Sequence, residues 1–412
     1  MRLQEFATLL RPLAADKSSD RRLARCHSIE DLRMEAHRFL PRAVFDFVDG
    51  GAQDETTLRR NRAAFEEIDL VPRVLRDVGE IGLKTEILGC PSSLPLALAP
   101  TGGTGLVRSG AEVDLAAAAG VLGIPCAVST MSSRSLEEVA AVSTGPLWFQ
   151  LYLVRDRGRC RDLIDRAKAA GYRALMVTVD TPVTGGRERD LRNGFTLPPT
   201  IGPGALMDGL RRPRWALQFL QARMPTLGNF DDRRLGLRDQ SVRAAAELDP
   251  SLNWNDLEWI RDAWGRPIVL KGVLSAADAN EAAAAGVSGI VVSNHSGRQL
   301  DGAPASMDVL AEVVDAVGDR VEVLLDSGVR RGADVARAVS LGARACMIGR
   351  AHLYGYAAGG RAGVEHAVRL LEAELRRTMT LLGAPSLKDL DRCFVRSRSA
   401  FGPHPDPPPR GH

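Results

Sequence analysis

A chain of 412 residues, 45% hydrophobic and 25% charged, has ordinary globular composition, which excludes a fibrous or low-complexity protein and supplies a large core. Lys plus Arg number 54 against 51 Asp plus Glu, a balance of +3 that gives no reason to expect nucleic acid as a partner. Cys26, Cys90, Cys126, Cys160, Cys346 and Cys393 are scattered, with no CxxC and no histidine cluster beside them, so neither a disulfide framework nor a metal site is expected.

In chain order, the first residues carry Glu5, Arg11, Asp16 and Lys17 and lack the uninterrupted apolar core of a secretory signal. No run approaches the roughly 18 apolar residues of a bilayer span. The expectation is a cytoplasmic protein, with peripheral attachment to the inner face of the membrane left open. Residues 1–27 are basic and irregular and read as an extended arm or a disordered leader. Ser28, with Asp31 three residues on, offers an N-cap to a helix ending at Phe39 before Pro41; a short helix over Ala43 to Val48 then ends at Gly50-Gly51.

From about residue 94, eight apolar runs alternate with helix-periodic, Ala-rich segments. The runs are Leu94–Ala99, Pro125–Ser129, Leu147–Leu151, Ala174–Val179, Pro267–Leu270, Gly289–Val292, Val321–Leu325 and Ala345–Ile348. The helical segments include Glu112–Val121, Cys160–Ala170, Ala276–Ala285, Met307–Val317 and Gly332–Leu341. Eight strands with intervening helices predict an α/β fold, a TIM (β/α)8 barrel, with an N-terminal helical extension and a long insertion after strand 4. The insertion, about 185–253, mixes Leu206, Leu210, Trp215, Leu217, Phe219 and Leu220 with Arg211, Arg212, Arg214 and Arg223. Such a segment lies on an anionic membrane, or it is a lid packed on its own barrel. The barrel region spans 28–385, with an amphipathic helix over Val364–Leu382, and 386–412 forms a tail whose Pro403–Pro409 stretch cannot be helical.

Polar and charged residues gather just beyond the runs, where such barrels keep their chemistry. His295 and Arg298 follow the sixth run: imidazole accepts a proton near neutrality, and guanidinium fits a carboxylate. Asp326 to Gly332 and Ile348-Gly349-Arg350 follow the seventh and eighth, a place suited to a phosphate. A phosphorylated cofactor there leaves the mouth free for His295. No GxGxxG opens an early βαβ unit, which disfavours a nicotinamide cofactor and points to flavin mononucleotide, FMN.

Six ordered motifs carry a resemblance: Phe149-Gln150-Leu151-Tyr152, Thr178-Val179-Asp180-Thr181-Pro182, Leu270-Lys271-Gly272, Ser293-Asn294-His295 with Arg298 to Asp301, Asp326 to Arg330, and Ile348-Gly349-Arg350. Over about residues 28–385 the chain resembles the FMN-dependent 2-hydroxy-acid dehydrogenases and oxidases. Pro213-Arg214-Trp215 and Arg350 to Gly355 make it most similar to the lactate and mandelate dehydrogenases among them. The resemblance implies that His295 takes a proton from the 2-carbon or its hydroxyl while the reducing equivalent passes to flavin N5, by a carbanion or a hydride route. It implies that Asp180 holds the imidazole, that Arg298 and Arg187 engage the carboxylate, and that Tyr152 hydrogen-bonds the developing oxygen. Lys271 would sit by flavin N1, and Thr101, Gly102, Ser129, Gln150 and Thr178 would line the ring. Ser293 joins the cofactor contacts, with Asp326 on the ribityl chain, and Gly328, Arg330, Gly349 and Arg350 would cradle the phosphate. Most members carry a tyrosine on the carboxylate where this chain has Phe47, which points toward a larger, aromatic substrate. Ser296 and Ser327 stand where glycines are common. The expected reaction is oxidation of an L-2-hydroxy acid to the 2-oxo acid, with a quinone or dioxygen as acceptor; a non-redox FMN barrel or an inactive flavin-binding protein are the rivals. By analogy the chain forms a tetramer.

Overall fold

The computed structural model describes residues 21–194, 203–221, 227–230 and 248–398. Most of the basic arm, Arg223 and the Pro403–Pro409 tail lie outside them. Eight strands close a barrel: β1 (Leu96–Leu98), β2 (Cys126–Ser129), β3 (Leu147–Tyr152), β4 (Ala174–Thr178), β5 (Ile268–Val273), β6 (Gly289–Val292), β7 (Glu322–Leu325) and β8 (Ala345–Ile348). Each pairs in parallel with the next, and β8 with β1. Helices cover the outside while side chains fill the inside, so each strand is buried on both faces. That is why all eight read as continuous apolar runs rather than alternating ones.

The interior alternates small and large side chains, with Ala97, Ala127, Ala174 and Ala345 against Trp148, Met176, Leu324 and Met347. Its floor is a two-stranded hairpin, Thr85–Ile87 with Cys90–Ser92, whose Ile87 and Leu88 join the same cluster. Three-residue strands leave too little pattern to be seen in the sequence.

The N-terminal helices form as expected, at Ile29–Phe39 and Arg42–Asp49, and Ser28 accepts from the Asp31 N–H. The end of the arm is not free: Leu23 and Cys26 are buried, and His366 contacts the Cys26 carbonyl at 2.8 Å. The expected Val364–Leu382 helix is the second limb of Arg350–Leu382, bent at Gly359 and Gly360. Ordered chain also continues past residue 385, since Val395–Ser397 pairs antiparallel with Ile68–Leu70.

The insertion carries helices at Pro203–Leu210 and Pro213–Gln221. Trp215 donates to the Leu106 carbonyl at 2.9 Å and Gln218 accepts from Arg108 at 3.2 Å, which fixes one face on the barrel. The other face of this second helix exposes Leu217 and Leu220, the latter at 81%, and Met207 and Leu210 are exposed on the first.

Candidate active site

Beyond β6 the backbone makes a left-handed turn, with φ of 56° at His295, 58° at Ser296 and 71° at Gly297. Such conformations are costly for residues with a Cβ, and they concentrate where a side chain must be aimed. The turn sets His295 Nδ1 3.1 Å from Asp180 Oδ1 and Nε2 3.5 Å from the Tyr152 hydroxyl. Asp180 reaches this position from the end of β4 because Gly272 gives way: a Cβ there would lie 2.6 Å from the Asp180 Cβ. Burial pushes the Asp180 carboxyl up, but the His295 and Lys271 charges outweigh it and hold it below its usual range. Its second oxygen is buried and finds no partner among the described residues. Burial and the nearby Asp180 charge push the Tyr152 phenol up to about 12, so it stays a proton donor.

Arg298 is half-buried and donates to the Phe47 and Gly50 carbonyls, at 2.5 and 3.2 Å. Arg187 lies 3.3 Å from Asp190. Both guanidinium groups face the Phe47 ring, at 5.1 and 5.7 Å from its centroid. Burial, then Arg187 and Arg350, drive the affinity of Arg298 for its proton well below the ordinary value. Asp190 compensates Arg187, whereas Arg298 forms no ion pair among the described residues, and a substrate carboxylate would supply its counter-charge. Phe47 itself is fixed because its helix is tied down at Asp49, which accepts from Arg33 at 2.6 Å and Tyr354 at 2.7 Å.

The expected ring-lining residues form a polar arc across successive strand ends. Ser129 donates to Gln150 at 2.9 Å, Gln150 donates to Thr178 at 2.9 Å, and Thr178 pairs in register with Lys271. Thr101 bonds Thr104 at 3.2 Å at one end of the arc, and Gly102 lies against Met131. Lys271 donates to Ser293 at 2.9 Å and lies 3.0 Å from Asp326. Burial works against its charge, yet Asp326 and Asp180 hold the ammonium above its usual value. Two of its three N–H groups are thereby used, and one is left for a cofactor.

At the end of β8, a Cβ built on Gly349 would meet nothing nearer than Ala99 at 3.9 Å, and the helix that follows has no side-chain cap. Open space at an uncapped helix N-terminus suits a phosphate. Gly328 adopts φ 102° on the facing loop, and Arg330 stacks over Tyr354 at 5.5 Å while donating to Val329. Arg350, also expected at the phosphate, donates to the Val48, Ser296 and Gly50 carbonyls at 3.0, 3.0 and 2.7 Å, which uses three of its five N–H groups and leaves two. A buried guanidinium must satisfy its donors, and these strap the Phe47 helix to the His295 turn.

One contributor escaped the sequence reading. Asn229, in the insertion, donates to the Ser129 and Thr130 carbonyls at 3.2 Å each and accepts from the Leu136 N–H at 3.0 Å. It clamps the end of β2, a position that only the fold reveals.

The chain has known counterparts. Residues 36–397 match the model of the family described as FMN-dependent dehydrogenase. The chain belongs to the FMN-dependent dehydrogenase family. An L-lactate dehydrogenase of Caulobacter sp. (strain K31) is 46% identical over 372 residues, 89% of this chain and 98% of that protein. Crystal structures of the monotopic membrane protein (S)-mandelate dehydrogenase and of mandelate oxidase with (S)-2-phenylpropionate superimpose with TM-scores of 0.88 and 0.77. They are 39% and 38% identical, each over 90% of this chain and 100% and 98% of theirs. Membership makes the chain an oxidoreductase and FMN its cofactor, and the polar arc, the spare Lys271 proton and the open space at Gly349 fit that group.

Proposed function

We propose that this enzyme oxidises an L-2-hydroxy acid of the lactate or mandelate type to the 2-oxo acid. The observation that carries the reading is the meeting of a carboxylate-held imidazole, a protonated phenol and two guanidinium groups, of which Arg298 has no carboxylate partner among the described residues. Bound FMN supplies the two-electron acceptor. Arg187 and Arg298 hold the substrate carboxylate. Asp180 takes the proton-bearing Nδ1 of His295, which leaves the Nε2 lone pair to accept the substrate proton, and its charge stabilises the imidazolium that results. Tyr152 stays protonated and donates to the substrate oxygen as that oxygen becomes a carbonyl. Lys271, Ser293, Ser129, Gln150, Thr178, Thr101 and Gly102 are assigned to the flavin ring, Asp326 to its side chain, and Gly328, Arg330, Gly349 and Arg350 to the phosphate.

Anaerobic addition of L-lactate, glycolate, L-mandelate and 4-hydroxymandelate to the purified yellow protein tests this. Bleaching of the flavin by one of them, lost in His295→Ala, is the expected outcome. A flavin left oxidised by all four removes the 2-hydroxy-acid reading.

For the acceptor, the exposed apolar face of the two insertion helices, with Arg211 and Arg214 beside it, favours a membrane-bound quinone over dioxygen. No helix among the described residues is long and apolar enough to cross a membrane, so the contact is peripheral. Mandelate oxidase is the counter-example, and hydrogen peroxide released in step with turnover would favour its acceptor. Flotation with anionic vesicles, abolished by Leu217→Glu with Leu220→Glu, is the expected sign of membrane contact; equal flotation of the variant sinks it. The tetramer expected by analogy is testable by light scattering.

A further inference from the structure

Ser296 and Ser327 both hold left-handed backbone, at φ 58° and 74°, and they bond one another. The Ser296 N–H donates to Ser327 Oγ at 2.9 Å, and the Ser327 hydroxyl donates to Asp326 Oδ1 at 2.8 Å. The other Asp326 oxygen lies 3.0 Å from Lys271 Nζ. Lys271 donates to Ser293 Oγ at 2.9 Å, which also accepts the His295 N–H at 3.1 Å. These contacts close a ring through Ser296, Ser327, Asp326, Lys271, Ser293 and His295, and Ser327, Asp326, Lys271 and Ser293 are all buried.

A glycine at 327 would hold the same backbone without the roughly 1 kcal/mol that a Cβ costs there. What glycine cannot supply is the hydroxyl, which does two things at once. It fixes the turn that carries the imidazole. It also donates to the carboxylate that partly neutralises Lys271, which makes Asp326 a weaker acceptor and leaves more of the ammonium charge for the flavin.

We propose that Ser327 is a positioning residue that couples the His295 turn to the charge Lys271 presents to the cofactor. The inference rests on the assignment of Lys271 to the flavin ring. Sulfite adds to oxidised flavin and leaves negative charge on the ring, so its affinity reports on nearby positive charge without substrate or turnover.

The experiment is a sulfite titration of the flavin-loaded wild type, Ser327→Ala, Ser327→Gly and Lys271→Met, read by loss of visible absorbance. Ser327→Ala keeps the backbone strain and Ser327→Gly relieves it, yet both lack the hydroxyl. Each is expected to bind sulfite about tenfold more weakly and to be reduced by the bleaching acid about tenfold more slowly, with KM within about twofold of wild type. Wild-type sulfite affinity in Ser327→Gly would overturn the proposal, because backbone shape alone would then suffice. If Ser327→Ala folds poorly, Ser327→Gly decides alone. Lys271→Met separates the two layers: should it bind sulfite as wild type does, the placement of Lys271 by the flavin fails. If it loses affinity while the serine variants keep theirs, only the role of Ser327 fails.

Discussion

The two ends of the barrel are built on opposite terms. At the floor, Ile87 and Leu88 press into a cluster with Trp148, Met176 and Val269, and apolar contact does the work. At the mouth, His295, Ser296 and Ser327 hold left-handed backbone, one oxygen of Asp180 has no partner among the described residues, and the half-buried Arg298 feels the like charges of Arg187 and Arg350. None of those mouth features stabilises the fold. Each persists because strands packed on both faces fix where the loops begin. Stability and chemistry are therefore separable along the barrel axis, and changes at the two ends should fail in different ways.

The largest expected effect lies at the mouth. His295→Ala removes the proton acceptor, and the rate of flavin reduction should fall by about 10³-fold or more. Lys271 still faces Asp180, so the loss of folding stability should be small by comparison. Stopped-flow absorbance and a thermal melt of the same preparation check both halves; a melt that collapses in parallel with the rate would mean that the mouth carries the fold after all.

The floor should behave in reverse. Ile87 is fully buried, and Ile87→Ala leaves a cavity beneath the barrel that should cost about 3 kcal/mol of stability. Reduction of the flavin by substrate should change less than about twofold at a temperature where the variant is folded. Denaturant unfolding beside stopped-flow reduction measures the pair of quantities. A large rate defect with full stability would show that the hairpin shapes the site and is more than its floor.

The same division explains what could be read from the sequence. The eight strands were legible because burial on both faces writes each as an unbroken apolar run, and His295, Asp180 and Lys271 were legible because they stand directly after such runs. The hairpin at 85–92 escaped because its strands are three residues long and its apolar pair, Ile87 and Leu88, has no period. Asn229 escaped because its partners, Ser129, Thr130 and Leu136, lie about a hundred residues upstream. Arg350 was visible as a cation at the right strand end, but its carbonyl partners come from Val48, Gly50 and Ser296, two of them about three hundred residues away. Local pattern reaches the strand ends, and the contacts that tie one end to another belong to the closed barrel.

Phe47 supplies the smallest and sharpest test of the mouth. Its ring has the Arg298 and Arg187 guanidinium groups at 5.1 and 5.7 Å from its centroid and lies beside Gly103, whose added Cβ would stand 3.5 Å from the ring edge. Phe47→Tyr adds one hydroxyl at that place and nothing else. If the two guanidinium groups hold the substrate carboxylate, the new donor adds a bond to a charged acceptor, and KM for a small acid such as L-lactate should fall by about fivefold. The bond exists in the bound substrate and in the transition state alike, so kcat should stay within about twofold. An aryl acid needs the space that the hydroxyl takes, so KM for L-mandelate should rise or stay level, and the preference between the two acids should shift toward lactate. A KM unchanged for both would move the carboxylate away from Phe47 and leave the uncompensated charge of Arg298 to be explained by some other anion.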